Sequence, residues 1–160
     1  MNAQIETSPA LVHEIILAHP FFKGINPRYV HLLTDCASFV RLGVGDDIFR
    51  EGQDADHFYL LHKGRVSLDT FVPRVGSTTI QTIGPGEALG WSWLYPPYRW
   101  QFNARVVDPF EAVAFGAVSL REKAEENHDF GYDLAMRVGR VMLGRLQATR
   151  RRLVEFYVGF

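Results

Sequence analysis

Gly84-Pro85-Gly86-Glu87-Ala88-Leu89 is the segment with the residue types for binding chemistry. It lies in a stretch of short strands and glycine turns running from Phe22 to Phe115. A glycine-glutamate loop between short strands is how a small β-barrel makes a pocket for a phosphate and a sugar, because glycine lets the backbone come close to a ligand. Just beyond it stands Trp91-Ser92-Trp93-Leu94-Tyr95-Pro96-Pro97-Tyr98, and all three tryptophans of the chain fall between positions 91 and 100. Such a set either packs the barrel mouth or forms an aromatic lid or a docking surface for another protein, with Trp91, Trp93 and Tyr95 as the partner-facing residues. Catalytic patterns are absent from the sequence. His13, His19, His31, His57, His62 and His128 lack metal-ligand spacing, so no metal is expected. No nucleophile elbow, P-loop or dinucleotide glycine fingerprint occurs.

The second charged feature is near the C-terminus. Arg137, Arg140, Arg145, Arg150, Arg151 and Arg152 follow Glu122, Glu125, Glu126, Asp129 and Asp133. Acids first and bases last is the order that a helix dipole favours, so a solvated helix explains it. Contact with an acidic partner protein is the next reading, and nucleic acid the last. Net charge is −1, so the chain as a whole has no electrostatic drive toward nucleic acid.

The elements that must position these residues follow from periodicity and punctuation. The 160 residues, 47% apolar and 22% charged, suit one soluble domain with a real core. Single Cys36 excludes an internal disulfide, suits a reducing compartment and reads as a buried structural thiol. No apolar run is long enough to span a bilayer, and Met1 to Ser8 lacks a leader pattern, so a cytoplasmic location is expected. Ser8-Pro9 opens a short helix that His19-Pro20 closes, and Asn26-Pro27 opens a second with Val30, Leu33 and Ala37 on one face. From Phe39 the period becomes two. Strands are predicted at Ile48-Phe49, His57–His62, Val66–Val72, Thr78–Ile83, Ala104–Val107 and Ala112–Phe115, with a tight turn at Lys63-Gly64. Asn127 or Asp129 can cap a final helix of nearly 30 residues. Its predicted stripe is Ala135, Val138, Met142, Leu146, Leu153 and Phe156. A single barrel cannot cover a helix of roughly 40 Å, so a second copy of the chain is the simplest cover for the rest.

Read together, His19-Pro20-Phe21-Phe22-Lys23-Gly24, Gly45-Asp46-Asp47-Ile48-Phe49-Arg50-Glu51-Gly52 and the run from Ala55 to Val66 resemble the cyclic-nucleotide-binding domain of the catabolite-activator (Crp/Fnr-like) type. Gly86-Glu87-Ala88-Leu89 resembles that family's phosphate-binding cassette. The resemblance implies a mainly β fold with flanking helices: an eight-stranded double-stranded β-helix, a jelly-roll-like β-roll, with a long C-terminal α-helix. It implies one domain over 1–160, with N-terminal helices at 9–36, the roll at 37–116 and C-terminal helices at 119–158. By resemblance, Glu87 accepts from a ribose hydroxyl, and Gly86, Ala88 and Leu89 supply backbone to the phosphate. The ligand-binding set is completed by Arg99 and Trp100, and Val138, Met142, Leu146 and Leu153 form the lid or dimer helix.

The sequence departs from the family at the cassette arginine. Counting back five from Arg105 reaches Trp100, with Gln101 where a small hydroxyl residue belongs. Arg99 is one place early, and one residue of slip in a strand turns a side chain to the other face unless a bulge restores it. The implied function is a non-catalytic regulator that senses a nucleotide or acts in trans on a partner protein. No cofactor is implied, and cyclic AMP, cyclic GMP or another nucleotide would be the effector. The expected partners are a second copy through the C-terminal helix and another protein, with no nucleic acid and no membrane. Two alternatives stand beside it. One is an accessory subunit of a multi-subunit enzyme, such as a soluble hydrogenase-type oxidoreductase, with a degenerate or retuned pocket. The other is a transcription-regulator remnant, disfavoured because the family's helix-turn-helix would follow the long helix and the sequence stops at Phe160.

Overall fold

The computed structural model describes residues 4–6 and 8–159. The leader expectation for Met1 to Ser8 therefore lies partly outside the described residues. Strand β1 (Gln4–Glu6) precedes α1 (Pro9–Ala18), which starts with proline in its first turn and stops ahead of Pro20. Short 3-10 turns follow at Pro20–Phe22 and Pro27–Tyr29, the second capped by Asn26, whose Oδ1 accepts from the Arg28 N–H. Helix α2 (Val30–Thr34) is only five residues long. Ala37, predicted on its face, instead begins β2 (Ala37–Leu42), because the chain turns at Asp35-Cys36 to join the sheet.

The remaining strands are β3 (Asp47–Phe49), β4 (His57–Val72), β5 (Gly76–Ile83), β6 (Ala88–Leu89) and β7 (Asn103–Gly116). Seven strands among the described residues make one antiparallel sheet, ordered β1-β2-β7-β4-β5, with β3 on β7 and β6 on β4. The fold is a β-roll with flanking helices. Its strand number differs from the implied eight for a local reason. Lys63-Gly64 is not a reversal: β4 runs straight through it, and β7 likewise joins two predicted strands. Gly64 has φ +95°, and a Cβ there would meet the Pro109 carbonyl, so glycine lets the two long strands bend together. The pairing register shifts between Leu61 and Val66 as they do so. The pairing of β1 with β2 carries no signal in the sequence.

The roll is filled by aromatic rings. Phe22, Phe58 and Phe115 pack face and edge, and Trp100 lies flat on Phe49 with centroids 3.7 Å apart. Helices α3 (Ala117–Glu126) and α4 (His128–Val158) close the chain. Asn127 caps α4 through Oδ1, accepting from the Phe130 N–H at 3.1 Å. The face of α4 that docks is Phe130, Leu134, Arg137, Val138 and Arg145. It is rotated from the predicted stripe: Ala135 is exposed, and Leu146, Leu153 and Phe156 point to solvent. Among the described residues no helix is long and apolar enough to cross a membrane.

Candidate functional site

The segment from Gly84 to Leu89 is held by its own backbone. Gly86 (φ +83°) donates to the Leu61 carbonyl at 3.1 Å, and the Leu61 N–H donates to the Glu87 carbonyl at 3.0 Å. Ala88 and Leu89 pair with Leu60 and Tyr59 of β4 and are buried. The Glu87 N–H is also used, on the Gly84 carbonyl at 3.3 Å. Gly86, Ala88 and Leu89 were expected to supply backbone to a phosphate, and no helix begins at this segment. Ala88 and Leu89 form strand β6, Gly86 lies in the turn before it, and the amides of Gly86 and Glu87 are already spent within the fold. Glu87 is exposed, and one carboxylate oxygen accepts from the Gly84 N–H at 2.7 Å, which closes the turn.

His19 ties this segment to the N-terminal helices. Its Nε2 lies 2.9 Å from the Leu61 carbonyl, the same oxygen that Gly86 uses. Its Nδ1 accepts from the Phe21 N–H at 3.2 Å. With one nitrogen facing a carbonyl and the other an N–H, the ring is the neutral tautomer. Burial lowers its pKa from 6.5, opposed by the Leu61 hydrogen bond and assisted by the charge of His62.

The arginine expected from the cassette does not come to this place. Arg99 is exposed, pairs with Asp54 at 3.1 Å and donates to the Gly52 carbonyl at 3.2 Å. Trp100, the other expected ligand residue, is 1% exposed and stacked in the roll. A ring so enclosed packs the core and has no face to offer. Trp93 is 0% exposed against Phe58, which corrects its expected place on a partner surface. Trp91 is half-buried on Phe102, and Tyr95, at 44% exposure, is the one member of that trio that faces solvent. The register reason is Gly90 (φ +87°). A Cβ there would collide with the Trp100 ring, so glycine at this point lets the loop fold back and the tryptophan turn inward. Arg121 holds the loop from below, donating to the Trp93 carbonyl at 2.6 Å and lying 4.0 Å over the Tyr98 ring.

The arginine that does reach the segment comes from α4. Arg145 donates through Nη2 to the Ala88 carbonyl, and its guanidinium lies 5.3 Å from the centroid of the Trp91 ring. The residue is 8% exposed, and its Nη1 has no hydrogen-bond partner among the described residues. Burial lowers its pKa to about 10, countered by the charge of Glu87. Arg145 stands beside a cleft of about 480 Å³ between α4 and the 86–88 segment, where Arg140, Arg151, Gln81 and Glu87 also line the walls. Val138 and Met142 pack into or against the core, whereas Leu146 and Leu153 are exposed. In the sequence these arginines show only as a basic helix face. The available signal was phase: Arg145 continues the Leu134, Val138, Val141 spacing, and Gly144 and Ala148 leave room beside it.

Comparison with known proteins agrees with this architecture. Residues 39–127, more than half of the chain, match the family model described as cyclic nucleotide-binding domain, and the chain belongs to that family. It is 23% identical over 142 residues to the CRP-like cAMP-activated global transcriptional regulator of Mycobacterium tuberculosis, an alignment covering 89% of this chain. The chain spans 62% of the length of that relative. Among solved structures, a cyclic nucleotide-binding domain from Methylobacillus flagellatus superposes with a TM-score of 0.85 at 16% identity, covering 96% of this chain and 88% of its own. A protein from Geobacter metallireducens GS-15 described as cyclic nucleotide-binding has a TM-score of 0.74 at 27% identity, covering 87% and 98%. The descriptions are of ligand binding and regulation, and none of the three names a catalytic activity. The mycobacterial relative is by name a transcriptional regulator, so the likeness lends nothing to the expectation of no nucleic-acid partner.

Proposed function

We propose that this chain is a non-catalytic regulatory module that senses a nucleotide-type ligand in the cleft under α4 and passes the state of that helix to a partner protein. The observation that carries this reading is the Arg145 contact. The final helix is fastened to the carbonyl of Ala88, inside the segment that resembles the family's cassette. A ligand that enters the cleft must replace or reshape that contact, and any difference in its affinity for the two arrangements shifts the helix between them. Glu87 is the group proposed to take a sugar hydroxyl, with Gly86 and Ala88 on the wall beside it and Leu89 buried behind them. The exposed apolar residues on the second half of α4, Leu146, Leu153 and Phe156 among them, are the proposed contact with a second copy or another protein. Amide hydrogen exchange along α4 is the test, with cyclic AMP, cyclic GMP, ATP and GTP added in turn. Changed exchange around 138–151 with any of them is the expected result, and unchanged exchange with all four would overturn the reading.

A second reading has one observation in its favour. Trp93 and Trp100 fill the roll, and no arginine of the 86–101 segment turns inward to balance a phosphate there. That favours an accessory subunit of a multi-subunit enzyme, such as a soluble hydrogenase-type oxidoreductase, in which the pocket has been retuned. It predicts co-purification with a larger complex that is indifferent to cyclic AMP. A transcription-regulator role predicts a duplex-binding signal with a steep salt dependence.

A further inference from the structure

Two arginines of α4 are buried, and they are served differently. Arg137 has Nε on Asp133 at 2.7 Å and Nη1 on the carbonyls of Phe21 and Lys23 at 2.7 and 3.0 Å. It is a structural arginine with its hydrogen bonds supplied. Arg145 has a single carbonyl, an orphan Nη1 and no ion pair among the described residues. A buried cation in that condition is costly unless an anion completes it. Arg140 and Arg151 are exposed on the same side of the helix and make no ion pair or hydrogen bond among the described residues. Between them Gly144 and Ala148 leave the helix surface low, which is where the cleft lies. Its one acid is Glu87, and one oxygen of that carboxylate is spent on Gly84.

We infer that this cleft binds a nucleoside polyphosphate, with Arg140, Arg145 and Arg151 on the phosphates and Glu87 and Gln81 on the nucleoside. The inference rests on the reading of the cleft as a ligand site and narrows the class of ligand. Three guanidinium groups against one carboxylate leave two positive charges in excess. A cyclic monophosphate brings a single negative charge for three guanidinium groups and leaves part of that excess unbalanced, whereas a diphosphate, with about three negative charges, or a triphosphate, with about four, more than covers it and offers every guanidinium an oxygen. Guanidinium groups are also suited to several phosphate oxygens at once, through paired N–H donors. The volume of about 480 Å³ is within the ~300–1,000 Å³ of small-molecule sites. Binding gives Arg145 Nη1 the acceptor it lacks, and so draws the guanidinium from the Ala88 carbonyl toward the phosphates.

The test is calorimetric titration of the whole chain with ATP, GTP, ADP, cyclic AMP, cyclic GMP and inorganic tripolyphosphate. The variants are Arg140→Ala and Arg151→Ala, both at exposed positions, and Arg145→Lys with its fold checked by circular dichroism. ATP or GTP should bind more tightly than its cyclic counterpart, and each of the two alanine variants should weaken it roughly tenfold, as expected when a hydrogen bond to a charged group is lost. Tighter binding of a cyclic monophosphate, indifferent to Arg140 and Arg151, would overturn the inference and leave the regulatory reading standing. Tripolyphosphate binding as tightly as ATP would overturn the nucleoside part and make the cleft a plain anion site. Absence of heat from every ligand would overturn the inference, and unchanged α4 exchange with the same nucleotides would then remove the regulatory reading as well. Duplex DNA competing for the three arginines, with a steep salt dependence, would assign the charge to a nucleic acid instead.

Discussion

The His19 ring holds two elements together by a single proton placement. Protonation would turn Nδ1 from an acceptor into a donor facing the Phe21 N–H. Its folded pKa lies below 6.5, chiefly through burial, so its contribution is complete above 6.5 and is lost as pH falls through the lower folded value. The urea midpoint should therefore drop as pH is lowered from neutral. In His19→Gln, which can accept and donate without titrating, that acid slope should be shallower, and an unchanged slope would sink the assignment. The two buried arginines make a second pair of expectations. Arg137→Met should cost about 1–3 kcal/mol in urea denaturation, because Asp133 and two carbonyls lose charged partners. Arg145→Met should leave the midpoint unchanged or raised, since it removes a poorly served buried charge. Cys36 is the third residue to check. Burial pushes its thiol up to about 11, against the pull of Lys123, so at pH 8 it should alkylate slowly until the chain unfolds.

At the scale of elements, the tryptophan loop is where sequence and structure part. Composition alone allows Trp91, Trp93 and Tyr95 to be a docking surface, because aromatics serve interfaces and cores equally well. The choice is made by Gly90, whose open backbone lets Trp100 lie against it and over Phe49. Trp93→Ala and Trp100→Ala should each cost about 3–5 kcal/mol by urea denaturation, as large-to-small changes in a core do. Tyr95→Ala should stay near the wild-type midpoint. Equal effects at all three positions would refute the division. The helices were legible where punctuation is strong: prolines at the start of α1 and Asn127 at the start of α4 are local signals that tertiary contacts do not override. The strand ends near Gly64 were not, because a glycine that bends a strand and a glycine that reverses one have the same local sequence.

The whole molecule is a roll with one long helix laid across it, and the helix is only half covered. From Phe130 to Arg145 it is seated, and Arg152 fastens it once more by donating to the Ile80 carbonyl on edge strand β5. Beyond that, Leu153, Phe156 and Tyr157 face solvent. If a second copy covers this half, Leu146→Asp with Leu153→Asp should convert a dimer to a monomer in sedimentation velocity while leaving the circular dichroism spectrum intact. A wild-type monomer at micromolar concentration would remove the homodimer proposal and leave the apolar face to a different protein.

By itself the sequence carried the motifs that resemble the family, and it determined the short strands, the flanking helices and the place of the Gly84–Leu89 segment. These depend on glycine turns, alternating strands and helix caps, all of which act over a few residues. Only the tertiary structure decided which side chains meet at that segment. Arg99 was near it in sequence and is paired elsewhere, whereas Arg145 is 57 residues away from Ala88 and touches its carbonyl. The rotation of α4 about its own axis makes that difference, and it is set by how Phe130, Leu134 and Val138 seat in the core. No local pattern encodes that rotation, because it is fixed by packing between elements far apart in the chain.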